Sequence, residues 1–178
     1  MLPQEEKSIL EYADSISEGD IRIYLVKTSH EQSRELEAFC EDLSRLSPRF
    51  NVTRVDADED SDLPGIWVGT HLVYRGVPLG RELEPFLEAL DLGRKAKKGQ
   101  APEISAKLDD ITVPASIDIF VSPQCPFCPI NVRQLIPLSF ANEFIRIAVI
   151  DAFLFERLAK KRERSEERRV GKECATGC

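Results

Sequence analysis

Cys125-Pro126-Phe127-Cys128 is the stretch of this 178-residue sequence whose residue types and spacing most directly imply chemistry. Two thiols three positions apart can close a disulfide or share a metal ion, and a C-x-x-C outside a secretory framework reads as one or the other. Redox exchange needs an exposed attacking thiol at a helix start and a more buried partner one turn on. At such a start the unpaired backbone N–H groups and the positive end of the helix dipole favour a thiolate. Cys125 is therefore read as the attacker and Cys128 as the thiol that resolves a mixed disulfide. Pro126 fits the first helical turn, Pro129 is early enough to share that tolerance, and Phe127 supplies an apolar rim. Two other readings stay open from the residues alone. One is a surface pair with no redox role. The other is zinc, with Cys125 and Cys128 joined by Cys174 and Cys178 in a closed set of four thiolates. Against zinc, proline directly after Cys125 suits a helix start better than a metal knuckle.

The remaining candidates read as structure. Cys40 shares helical spacing with Leu36, Phe39 and Leu43, which makes it a buried thiol. His30 reads as a solvated loop residue, and His71 precedes a strand with no visible partner. Trp67 and Tyr74 read as packing residues. Asp56, Asp58, Glu59, Asp60 and Asp62 read as a solvated acidic loop, since the glycine and closing glutamate of a calcium loop are missing.

The elements that must position the cysteines come as a repeat. Ile21-Arg22-Ile23-Tyr24-Leu25-Val26 and Ile117-Asp118-Ile119-Phe120-Val121 are matching strand signals. Each precedes a helical stretch, Glu31 to Leu46 and Pro126 to Phe140, and then a strand ending in aspartate, Phe50 to Asp56 and Ile145 to Asp151. Amphipathic lead-ins stand before both copies, through Ile9, Tyr12 and Ile16 and through Ile104, Leu108 and Ile111. The pattern implies two βαβ units and a mostly parallel sheet. Laid over one another, the copies place Cys125 and Cys128 on Ser29 and Gln32, so the first copy has no thiol at its equivalent site. Copy one continues into a hairpin, Leu63 to Gly76, and a closing helix, Glu82 to Leu90. Asp91 to Gln100, polar and carrying two glycines, reads as the joint. Copy two has few apolar residues after Leu158, and Lys160 to Glu173 holds seven basic and four acidic residues, which cannot bury a core.

Composition narrows the class. A net charge of −7 argues against a general phosphate-binding surface, so no nucleic-acid partner is expected. No apolar run approaches the ~20 residues of a membrane span. The acidic opening Met1 to Glu6 is unlike a secretory signal, so a cytoplasmic protein without a membrane partner is expected.

Strand, Cys-Pro-Phe-Cys, helix is the arrangement of thioredoxin-like and glutaredoxin-like folds. Two in tandem, the first without cysteines, resemble the N-terminal domain of the alkyl hydroperoxide reductase flavoprotein subunit and are similar to tandem protein disulfide oxidoreductases. The motifs that carry this are Gly76-Val77-Pro78-Leu79-Gly80-Arg81-Glu82 in copy one and Cys125-Pro126-Phe127-Cys128 with Ile150-Asp151 in copy two. The resemblance implies an α/β protein of two tandem thioredoxin-like folds, the second truncated at its C-terminus. Residues 1–95 would be the cysteine-free fold, 96–110 a linker and lead-in helix, and 111–160 the start of the second fold. Residues 161–178 would be a charged, non-native tail, because Arg164 to Cys174 resembles an adapter-derived sequence. The function implied is dithiol–disulfide exchange through Cys125 and Cys128, with no bound cofactor and no metal. An external donor (a flavin dithiol domain, thioredoxin reductase or glutathione) and a protein disulfide acceptor, such as a peroxiredoxin, would complete it. The alternative is a non-catalytic adaptor. A truncated second fold would be a two-stranded sheet with an exposed edge, digested beyond about residue 111 while 1–95 resists proteolysis.

Overall fold

The computed structural model describes residues 1–17, 19–56, 63–100, 104 and 108–166, the last five by backbone only. Most of the acidic loop, residues 105–107 of the second lead-in, and Cys174 and Cys178 lie outside the described residues. Helix α1 (Pro3–Ser15) leads to strand β1 (Ile21–Lys27), helix α2 (Ser33–Leu46), strands β2 (Phe50–Asp56), β3 (Gly65–Val68) and β4 (Leu72–Arg75), and a 3-10 turn at Gly80–Glu82. Helix α3 (Leu83–Lys97), strand β5 (Ala115–Val121), helix α4 (Cys128–Ala141), strand β6 (Ile145–Asp151) and helix α5 (Glu156–Glu166) complete the order.

The repeat is visible bond by bond. Helices α2 and α4 each have 14 residues. Each ends on an extended residue, Ser47 or Asn142, whose N–H reaches back to Leu43 or Leu138. The same residue's carbonyl then accepts from the first residue of the next strand, Phe50 or Ile145. Its side chain, in turn, accepts from the N–H two positions on, that of Arg49 or Phe144. Finally the carbonyls of Arg49 and Phe144 bond the starts of β1 and β5. The two βαβ units close by the same local solution to the helix-end carbonyl problem.

The halves do not form separate sheets. One six-stranded mixed sheet runs β2-β1-β3-β4-β6-β5, with β3 antiparallel to β1 and β4 and the other strands parallel. The two-stranded fragment expected for copy two is corrected here. Strand β6 occupies the free edge of β4, pairing Leu72 with Ile147 and Tyr74 with Val149. Those four side chains are buried, so pairing joins the ladders and continues one apolar face across the joint. Strand β5 pairs with β6 and, among the described residues, with no other strand.

Helix α3 also runs further than the sequence suggests, through Lys97, so helix fills most of the stretch read as the joint. Arg94, Lys95 and Lys97 fall in its last turn, where cations complement the helix dipole. Gly93 is a packing site: a Cβ there would stand 3.2 Å from a Val68 methyl and 3.5 Å from the Phe140 ring. Arg133 of α4 clamps α3 through Glu84 at 2.7 Å and Glu88 at 2.9 Å.

Candidate redox site

Strands β1, β2, β4, β5 and β6 point the same way, so the loops after them gather at one sheet edge, the usual site in parallel sheets. There the β5 loop carries Cys125, the β4 loop carries Gly76 to Glu82, and the β6 loop carries Asp151 to Phe155.

Helix α4 starts at Cys128, two residues later than the sequence suggests. Proline explains the shift. A helix beginning at Pro126 would need the fourth helical residue, Pro129, to donate the first intrahelical bond, and proline has no N–H. Beginning at Cys128 gives that bond to Asn131, which donates to the Phe127 carbonyl at 3.1 Å, and leaves Pro129 in the first turn. Cys125 therefore sits ahead of the helix, in a turn closed by its own N–H on the Ser122 carbonyl at 3.0 Å.

Both residues are free thiols, Cys125 half-buried and Cys128 buried. Burial pushes the Cys128 thiol up to about 11, and its hydrogen bond with Cys125 adds to the rise. A contact with the Ser122 backbone acts the other way, and the nearby Glu82 carboxylate raises it again. Around the pair, Phe127 is 57% exposed and Ile130 50%, an apolar rim beside the half-buried Cys125.

Glu82 is the residue that sequence reasoning passed over. It belongs to the first half, yet its charge acts on Cys128 of the second. It is only 8% exposed, and both carboxylate oxygens lack a hydrogen-bond partner among the described residues. Burial holds its carboxyl above the usual carboxylate range, and Arg133 offsets this only in part. The signal was present in the sequence. Glu82 falls on the helical stripe of Phe86, Ala89 and Leu90, a carboxylate where a core residue is due.

The other sequence candidates resolve into structure. Cys40 is buried and its thiol is pushed up to about 12 by desolvation. Tyr74 is buried and edge-on to Phe86, with ring centroids 5.2 Å apart. Trp67 is half-buried on β3. His30 is not a free solvated residue, because its ring stacks on Phe155 at 5.0 Å and its Nδ1 accepts from the Gln32 N–H. His71 Nδ1 is buried without a partner among the described residues. Among those residues no three His, Cys, Asp or Glu side chains converge as a metal site. No helix among them is long and apolar enough to cross a membrane.

The C-x-x-C thus lies between the end of a parallel strand and the head of a helix, on the shared sheet of an α/β protein. Comparison with known proteins agrees. No family model matches the chain. The chain is 28% identical over 160 residues to the alkyl hydroperoxide reductase AhpF of Staphylococcus aureus, an alignment covering 86% of this chain and 30% of that protein. It thus spans about a third of the length of that relative. Its fold matches AhpF of Enterococcus faecalis, with a TM-score of 0.67, 20% identity and coverage of 92% of this chain and 85% of that one. It also matches a protein disulfide oxidoreductase from Aeropyrum pernix, with a TM-score of 0.68, 14% identity and coverage of 90% and 78%. The chain resembles the N-terminal part of AhpF in sequence and shares the fold of both proteins.

Proposed function

We propose that this chain is a dithiol–disulfide oxidoreductase module working through Cys125 and Cys128. The observation that supports it best is the asymmetry of the pair: a half-buried Cys125 hydrogen-bonded to a buried, high-pKa Cys128 that has a buried carboxyl beside it. In this reading the Cys125 thiolate attacks one sulfur of a substrate disulfide and releases the other as a thiolate, leaving a mixed disulfide. Cys128 must then lose its proton to act. Glu82, whose raised pKa brings it closer to that of a thiol, takes the proton. The Cys128 sulfur attacks Cys125 and expels the second substrate thiolate. The net change is two electrons from the protein dithiol to the substrate disulfide, which becomes two thiols. An external dithiol restores the pair.

The apolar rim of Phe127 and Ile130 favours a polypeptide substrate. The likeness to AhpF favours a peroxiredoxin as acceptor and a flavin dithiol domain as donor, with glutathione or thioredoxin reductase the donor in a glutaredoxin-like variant. It also favours reading residues 1–95 and 111–160 as two thioredoxin-like units in a cytoplasmic protein. Insulin reduction with dithiothreitol tests the reaction. The wild type is expected to outpace a Cys125→Ser variant by tenfold or more, and a Cys128→Ser variant is expected to accumulate a mixed disulfide. Equal rates for wild type and Cys125→Ser would leave the adaptor reading instead.

A further inference from the structure

A cavity of about 170 Å³ opens where the two halves meet, between the loop after β4 and the ends of β5 and β6. Two of its lining groups are polar, buried and unsatisfied. The Tyr74 hydroxyl, on a side chain 2% exposed, and the Glu82 carboxyl, 8% exposed, have no hydrogen-bond partner among the described residues. Asp151 adds a second carboxylate, held by the N–H groups of Phe153 and Leu154 at 2.8 and 3.2 Å. Val77 and Pro123 give apolar wall, and Arg81 lines the mouth without bonding Glu82. The loop is pinned from outside, with the Gly80 N–H donating to Glu5 of α1 at 2.8 Å. Buried polar groups without partners are costly, so an acidic, apolar-walled cavity of this kind calls for a donor.

We infer that this cavity is a specificity subsite for a basic side chain, lysine foremost, that flanks the reacting cysteine in the substrate polypeptide. A lysine has the matching anatomy: an apolar stem for Val77 and Pro123, and three N–H donors at the tip for Glu82, Tyr74 and Asp151. The volume of about 170 Å³ has room for one such chain. The inference rests on the proposed dithiol exchange, because Glu82 links the cavity to Cys128.

The test uses the full chain, reduced with dithiothreitol and then desalted. Short peptides carry one cysteine as a mixed disulfide with thionitrobenzoate, and lysine, norleucine or glutamate is placed in turn at each of the two positions on either side. The protein dithiol supplies two electrons, and the products are peptide thiol, thionitrobenzoate and the Cys125–Cys128 disulfide. At one position lysine is expected to react about tenfold faster, as a second-order rate constant, than norleucine. That ratio is expected to fall to within twofold in Tyr74→Phe and in Val77→Trp, which fills the cavity. Both variants should keep the wild-type rate with dithiobis-nitrobenzoate, a small disulfide that has no side chain to place. A ratio near one at every position, or a preference that survives both substitutions, overturns the subsite. If dithiobis-nitrobenzoate is reduced no faster than by Cys125→Ser, the exchange reaction fails instead. Calorimetric binding of serine-for-cysteine peptides then decides the subsite alone: tighter binding of the lysine peptide, lost in Val77→Trp, upholds it, and equal affinities sink it.

Discussion

At the scale of single residues, three described thiols differ by burial, and their reactivity should follow. Cys40 and Cys128 are buried, with thiols pushed up to about 12 and about 11, whereas Cys125 reaches solvent. Iodoacetamide at pH 8 should therefore label Cys125 first and leave Cys40 and Cys128 unmodified until the chain unfolds, as mass mapping would show. Labelling of Cys128 ahead of Cys125 would reverse the assigned roles. Glu82 gives a prediction with a sign. Its folded carboxyl holds its proton at pH values where the unfolded chain has lost it, so the folded state binds more protons across that window. Stability is then lost as pH rises from near 4.5 through the folded value, and none is lost below it. Glu82→Gln has no proton to lose. Its urea midpoint should gain on the wild type between pH 4 and pH 8, and a constant difference would contradict the burial. His71, whose pKa burial lowers, destabilises in the opposite direction as pH falls below about 6.5, and it is common to both proteins. The cysteine pair was legible because its two thiols sit within one turn of chain. Glu82 was legible only as a carboxylate on an apolar stripe, because its place beside Cys128 depends on α4 arriving from the other half.

At the scale of elements, strand and helix types follow from local pattern, and their ends follow from finer chemistry. The hairpin of β3 and β4 and helix α2 lie where the apolar spacing puts them, while α3 continues past Leu90 to Lys97. The start of α4 differs by two residues because Pro126 and Pro129 are both acceptable in a first turn, and only the missing N–H of Pro129 separates the choices. The turn after β4 has a similar determinant. Gly76 adopts φ +149°, and a Cβ there would stand 2.9 Å from the Cβ of Asp151. Both the backbone conformation and the contact with the second half require glycine. Gly76→Ala should cost about 2 kcal/mol, from strain and from pushing β4 and β6 apart. Denaturant midpoints would measure it. A loss below about 0.5 kcal/mol, the scale of an ordinary surface substitution, would mean the loop relaxes without disturbing the joint.

At the scale of the molecule, the joint between halves decides how the chain unfolds. Taken alone, the described part of copy two has two strands and the helices α4 and α5, too little sheet to offset its ordering entropy, which is why the sequence by itself implies its digestion. What the sequence could not show is that β4 keeps an open edge and that β6 fits it in register, since pairing between strands some seventy residues apart leaves no local signal. The consequence is shared fate. Leu72, Tyr74, Ile147 and Val149 form one buried face, Phe140 lies within 3.5 Å of where a Gly93 side chain would begin, and Arg133 ties α4 to α3. Neither half can open without exposing the other's core, so the two should unfold together. The chain carries one probe in each. Trp67, the single tryptophan, reports the first half by fluorescence, and Cys128, buried in the second, reports by its alkylation rate in a background with Cys40→Ala, Cys125→Ser, Cys174→Ser and Cys178→Ser. Across a urea series the two transitions should coincide in midpoint and slope, and Ile117 to Leu158 should resist protease as long as β1 to β4 do. A Cys128 transition at clearly lower urea would show instead that the second half melts off an intact first half, and that the β4–β6 ladder adds little to its stability.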